Sequence, residues 1–133
     1  MGKHMNLTIH RGAETIGGTC IEIRSKEARI ILDIGVPLTN GKGDRLHFPK
    51  YDTQTAPSLV KKRVLPDVPG LWNFDEKGID AIFISHAHPD HYGLLKFTNP
   101  EIPVYMSKGS RDLLKIACYT ERYDYFPSDV CIL

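Results

Sequence analysis

Residues 86–91 read His86-Ala87-His88-Pro89-Asp90-His91, three imidazoles and one carboxylate in six positions, directly after the apolar run Ile79-Asp80-Ala81-Ile82-Phe83-Ile84. The run is short, β-branched and bounded by Ser85, which predicts a strand buried on both faces. Whatever this chain folds into must therefore deliver those four side chains at the C-terminal end of a buried strand. Imidazole and carboxylate are the donors that borderline divalent ions such as zinc accept, and alternate positions in a turn can aim at one point. The plainer alternative is a polar turn in which Asp90 caps a helix and the histidines hydrogen-bond locally. Tyr92-Gly93-Leu94-Leu95-Lys96-Phe97 is expected to open a short helix, placing Asp90 and His91 near its N-terminus.

Other elements follow from pattern. Residues 6–10 and 18–24 read as strands, the second alternating Thr19, Ile21 and Ile23 with Cys20, Glu22 and Arg24. Ser25-Lys26-Glu27 is the turn of a hairpin whose return strand is 28–34, and Gly12, Gly17 and Gly18 permit a bulge or a close backbone approach. An antiparallel meander is the economical arrangement. Residues 36–78 carry Pro37, Pro49, Pro57, Pro66 and Pro69, too many breakers for one regular element, and read as a long loop. Ile102-Pro103-Val104-Tyr105-Met106 is a further strand, and Ser107 or Ser110 caps a helix running through Ala117.

The stretch from Ser85 to Leu94 resembles the H-x-H-x-D-H signature of the metallo-β-lactamase superfamily. Ile30-Ile31-Leu32-Asp33-Ile34-Gly35 resembles that family's early strand, which ends in an acidic residue supporting the metal loop. The resemblance implies the N-terminal half of an αββα sandwich, an α/β (α+β) fold with a largely antiparallel sheet and flanking helices. It also implies that His86 and His88 bind one ion, Asp90 and His91 a second, with Asp90 catalytic and Asp33 an outer partner of the histidines. Two zinc ions are expected in the complete domain, with manganese or iron as alternatives. No histidine follows His91, and His4, His10 and His47 precede the motif. Four donors fall short of about three protein ligands per catalytic zinc over two ions, so residues 6–133 are expected to be a truncated N-terminal portion, inactive alone, with 1–5 a cloning remnant.

Val104-Tyr105-Met106-Ser107, Ser110-Arg111-Asp112-Leu113-Leu114 and Val64-Leu65-Pro66-Asp67 are similar to segments of the ribonuclease J and polyadenylation-nuclease type. That favours a nucleic-acid phosphodiester as substrate and RNA processing as the role, over esters, thioesters or lactams. Within 36–78, Lys42, Arg45, Lys50, Lys61, Lys62 and Arg63 with Phe48, Tyr51 and Trp72 read as a solvated loop or as a surface for phosphates and stacked bases. Ser85 beside His86 is read as a strand terminus, not as part of a Ser-His-Asp triad.

The formal charge of +1, with 25% charged and 41% hydrophobic residues, does not indicate disorder, and no apolar run is long enough for a membrane-spanning helix. Three cysteines without C-x-x-C spacing predict reduced thiols in a cytoplasmic protein. Half a sandwich also leaves apolar surface for self-association, so a non-catalytic interaction module is the alternative from another class.

Overall fold

The computed structural model describes residues 4–39, 42–45, 54–120, 127 and 129–133. Six strands form one sheet in the order β1 to β6: Asn6–Arg11, Cys20–Arg24, Arg29–Leu32, Ala81–Ile84, Val104–Met106 and Val130–Ile132. Three helices accompany them: α1 (Ala56–Lys61), α2 (Pro89–Tyr92) and α3 (Lys108–Tyr119). Ser25 closes the first hairpin, its hydroxyl accepting from the amides of Glu27 and Ala28 at 3.1 and 3.0 Å.

The expectation of a largely antiparallel sheet is corrected. β1, β2 and β3 pair antiparallel, whereas β3 with β4, β4 with β5 and β5 with β6 pair parallel. Hairpin turns allow only the first kind of pairing. The later strands are joined by crossovers that carry α1, α2 and α3, and such crossovers return the chain in the same direction.

Strand register sorts the side chains into two faces. Thr8, Glu22, Ile31, Ile82, Val104 and Val130 lie across from one another on one face. Ile31, Ile82, Ile84, Val104 and Met106 from this face form the core with Leu59 of α1, Tyr92 of α2 and Leu114 of α3. On the other face lie Leu7, Ile9, Ile21, Ile23, Ile30, Leu32, Phe83, Tyr105 and Cys131. Leu7 and Ile9 are 63% and 50% exposed, and the others are half-buried. Phe83 and Tyr105 stack there at 5.0 Å between ring centroids. Among the described residues the core cluster draws on none of these nine. On β4, Ala81, Ile82 and Ile84 are buried, and only Phe83, which shares its face with Ala81, departs from the expectation of a strand covered on both sides by being half-buried.

The breaker-rich stretch is not wholly irregular, since α1 lies within it; Lys50, Phe48 and Tyr51 fall outside the described residues. Pro57 is accommodated in the first turn of α1, where no helical hydrogen bond needs its missing N–H. The helix ends in a 6→1 and 5→2 pair: Val64 N–H donates to Leu59 O at 2.9 Å and Arg63 N–H to Val60 O at 2.9 Å. The left-handed residue of that motif is Arg63, with φ 59°, where glycine is the ordinary occupant. An L side chain there costs about 1 kcal/mol.

Trp72, expected among stacking candidates, is instead 1% exposed with its indole N–H donating to Pro66 O at 2.9 Å. Its size and single donor suit it to the core. Ser107 is the cap of α3, its hydroxyl accepting from Ser110 N–H at 3.1 Å, and the helix runs two residues past the expected end. No described helix is long and apolar enough to cross a membrane. None of the three cysteines is in a disulfide, and burial pushes the Cys20 thiol up to about 12.

Candidate metal centre

Asp33 follows the last residue of β3 and continues the parallel ladder, its N–H donating to Phe83 O at 2.9 Å. It then turns into the left-handed region at φ 57°, a conformation aspartate tolerates better than most residues. This turn points a buried carboxylate across the end of β4. Oδ1 accepts from Ser85 N–H at 2.7 Å, and Oδ2 accepts from Ser85 Oγ at 2.8 Å and from His91 Nδ1 at 2.8 Å.

With both rings neutral, those bonds select one tautomer at each imidazole. In that state His91 would donate its Nδ1 proton to Asp33 and keep a lone pair on Nε2, the nitrogen that faces Asp90 Oδ2. Ser85 has one hydroxyl proton, given to Asp33, so the 3.0 Å contact between Ser85 Oγ and His86 Nδ1 is a donation from the ring. His86 Nε2 is then also the nitrogen with a lone pair. One carboxylate, directly and through Ser85, therefore orients two of the candidate ligands. Ser85 was legible only as a strand terminus; its adjacency to His86 was the single signal of this role.

His88 is the N-cap of α2 with extended backbone, the conformation a following proline imposes, and Pro89 supplies the first helical residue. Helix α2 starts earlier than expected, so Asp90 and His91 lie inside it, and residues Leu95–Phe97 form a separate 3₁₀ turn. The His86 ring lies 4.0 Å from that of His91 and 4.7 Å from that of His88, centroid to centroid. Asp90 Oδ2 is 3.4 Å from His91 Nε2. The structure thus brings His86, His88, Asp90, His91 and Asp33 into one neighbourhood.

Backbone bonds hold α2 in place. Ile34 N–H donates to His91 O, Val36 N–H to Pro89 O and Gly18 N–H to Asp90 O, at 2.7, 3.0 and 3.2 Å. Arg11 ties the platform together from behind, its guanidinium donating to Gly18 O at 2.8 Å, Gly35 O at 2.7 Å and Val64 O.

The metallo-beta-lactamase superfamily profile matches residues 14–97, more than half of the chain. The chain belongs to the metallo-β-lactamase superfamily. It is 26% identical over 110 residues to an RNase J-like protein of Methanocaldococcus jannaschii, covering 83% of this chain and 19% of that protein. It is also 30% identical over 108 residues to the transcription termination factor FttA of Methanococcus maripaludis, covering 79% of this chain and 14% of that protein. The crystal structure of a protein of unknown function from Enterococcus faecalis superposes with a TM-score of 0.70 at 27% identity, covering 92% of this chain and 29% of that one. The chain spans about a fifth or less of these archaeal relatives' length.

Membership in this superfamily implies use of divalent metal. The donor chemistry fits, and two of the rings have the outer support that metal-bound imidazoles have. Yet among the described residues no group of three or more His, Cys, Asp and Glu side chains is arranged to hold an ion. His91 Nε2 faces Asp90, and the imidazoles meet ring against ring. The residues fit part of a ligand set, with further donors required to complete it.

Asp33→Asn tests the support directly. The amide nitrogen must face one of three donors, so stability is expected to fall by roughly 1–3 kcal/mol and metal affinity by about 10–100-fold. Zinc titration by calorimetry alongside thermal unfolding reads both quantities, and unchanged zinc affinity would show that the carboxylate does not act on the ligands.

Proposed function

We propose that this chain carries the first metal-binding half of a hydrolase that cleaves phosphodiester bonds in nucleic acid, RNA being favoured. The observation that carries the reading is the Asp33–Ser85 network, whose hydrogen bonds orient the rings of His86 and His91. His86 and His88 would hold one ion, Asp90 and His91 a second; zinc suits these donors best, with manganese or iron as alternatives. When bound, such cations lower the pKa of water and neutralise charge developing on the group under attack. Within the chain, Asp33 and Ser85 hold the rings, α2 presents Asp90 and His91, and Arg11 fixes the backbone behind them. Asp90 is the carboxylate closest to the reacting atoms in this reading.

The preference for phosphodiesters over esters, thioesters or lactams draws on relatives named as an RNase J-like protein and a transcription termination factor. Four donors do not complete two catalytic ions, so the chain by itself is proposed to be inactive. Three cysteines outside any disulfide suit a reducing compartment, and we place the chain in the cytoplasm.

Replacing both His86 and His88 by alanine is expected to remove zinc from the chain and, in a protein with the complete ligand set, to abolish RNA hydrolysis. Elemental analysis and a labelled-RNA cleavage assay check this. Chelator-sensitive turnover that persists in the double variant would refute it.

The exposed Leu7 and Ile9, beside the half-buried Phe83 and Tyr105 on the same sheet face, favour a second reading, a module that pairs with another copy through that face. Light scattering after gel filtration decides it: a metal-free dimer that Ile9→Lys makes monomeric would support it, and a monomer at all concentrations would exclude it.

A further inference from the structure

A cleft of about 570 Å3 opens beside the platform, lined by His10 and Arg11 of β1, Lys61 and Arg63 at the end of α1, and Asp67, with apolar side chains between them. Three residue types in it carry fixed or available positive charge, against one carboxylate. Arg11 is committed to backbone carbonyls and His10 faces Glu22 at 2.8 Å. Among the described residues, Lys61 and Arg63 have no salt-bridge partner and are exposed. Arg63 stands at the left-handed position of the helix terminus, where glycine would be accepted without strain. A long cation at a site the backbone disfavours suggests that its side chain serves something other than the fold.

We propose that this cleft binds the sugar-phosphate backbone of single-stranded RNA, with Lys61 and Arg63 on phosphates. The inference rests on the nucleic-acid reading above and assigns that reading its contact surface. The volume has room for a nucleotide or two, within the range of about 300–1,000 Å3 typical of ligand sites, and is too small to enclose a duplex. The planar guanidinium of Arg63 can grip a phosphate through two hydrogen bonds, while Lys61 adds a point charge. Arg11 joins the cleft to the backbone under α2, so a strand lying there is next to the loop that carries Asp90 and His91.

Fluorescence anisotropy of a labelled oligouridylate with the chain, in chelator so that neither metal nor cleavage contributes, tests the assignment. Arg63→Gly and Lys61→Ala are each expected to weaken binding about five-fold or more, and to lower the slope of log affinity against log salt by about 0.7. Asp67→Asn should tighten binding, and Arg63→Lys should keep the salt slope while losing the part of the affinity that the two-bond grip supplies. Arg63→Gly should melt at the same temperature as the parent or higher, which separates lost affinity from lost structure. RNA binding that neither Arg63→Gly nor Lys61→Ala changes would overturn the cleft and leave the nucleic-acid reading standing. Displacement of the oligonucleotide by an equal concentration of inorganic phosphate would overturn the strand as occupant. Failure of the parent chain to bind RNA would also overturn the cleft, whereas the histidine double variant judges the hydrolase reading separately.

Discussion

Replacing Gly35 by alanine is expected to destabilise the fold by more than about 3 kcal/mol, among the largest effects of any single methyl group in the chain. A Cβ at this position would lie 1.5 Å from the Asp90 carbonyl oxygen and 2.8 Å from the His91 nitrogen, both backbone atoms that no rotamer change can move away. Relief requires the loop after β3 to separate from α2, breaking the bonds from Ile34 and Val36 that hold this helix. Denaturant unfolding should therefore show a large drop in midpoint, and any residual folded protein should bind zinc poorly. Gly109→Ala supplies the contrast, because nothing lies within 4 Å of the added carbon in α3, and a gain of up to about 1 kcal/mol follows from helix propensity. Equal stability of the Gly35 variant and the parent would show that the loop and α2 are not packed as described.

The second large effect concerns acid. Glu22 is 6% exposed on the helix-covered face of β2, where Arg29 Nε and Nη2 donate to its two oxygens at 2.7 and 3.0 Å and His10 Nε2 lies at 2.8 Å. Hydrogen bonding by Arg29 lowers its pKa from 4.5 to about 2, opposed by desolvation and assisted by His10. A carboxylate more acidic folded than unfolded stabilises the fold above the unfolded value. That contribution, roughly 3 kcal/mol by linkage, is lost as pH falls from about 4.5 through about 2. Glu22→Gln should remove it at neutral pH, costing about 3 kcal/mol, since Arg29 loses its counter-charge and keeps only its bonds to the Pro69 and Gly78 carbonyls. Urea midpoints measured across the acid range check both statements: the parent should lose stability steeply there, and the variant should show a flatter profile. A variant as acid-sensitive as the parent would assign the loss to other carboxylates.

The parts of the candidate site legible in the sequence were those whose chemistry is local. His86, His88, Asp90 and His91 declare themselves by type and spacing, and Asp33 by standing at the end of an apolar strand. Ser85 does end β4 as read, but its further role was not legible, because it comes from Asp33, 52 residues away, whose left-handed turn sets the carboxylate against both its amide and its hydroxyl. Trp72 looked like a stacking residue because aromatic side chains beside basic ones suit both a core and a nucleic-acid surface, and only the Pro66 carbonyl decides between them.

Alternation of apolar and polar side chains placed the strands, and donor chemistry placed the metal-loop candidates, because both depend on neighbours a few residues apart. Tertiary structure decided that β3 to β6 run parallel, that one apolar sheet face stays outside the core, and that Gly35 and Asp90 meet backbone to backbone. It also decided that Arg63 lines a cleft shared with β1. These outcomes depend on which distant segments share the sheet and which pack across it. That choice minimises exposed apolar area and unpaired backbone groups over the whole chain, and no short window of sequence contains it.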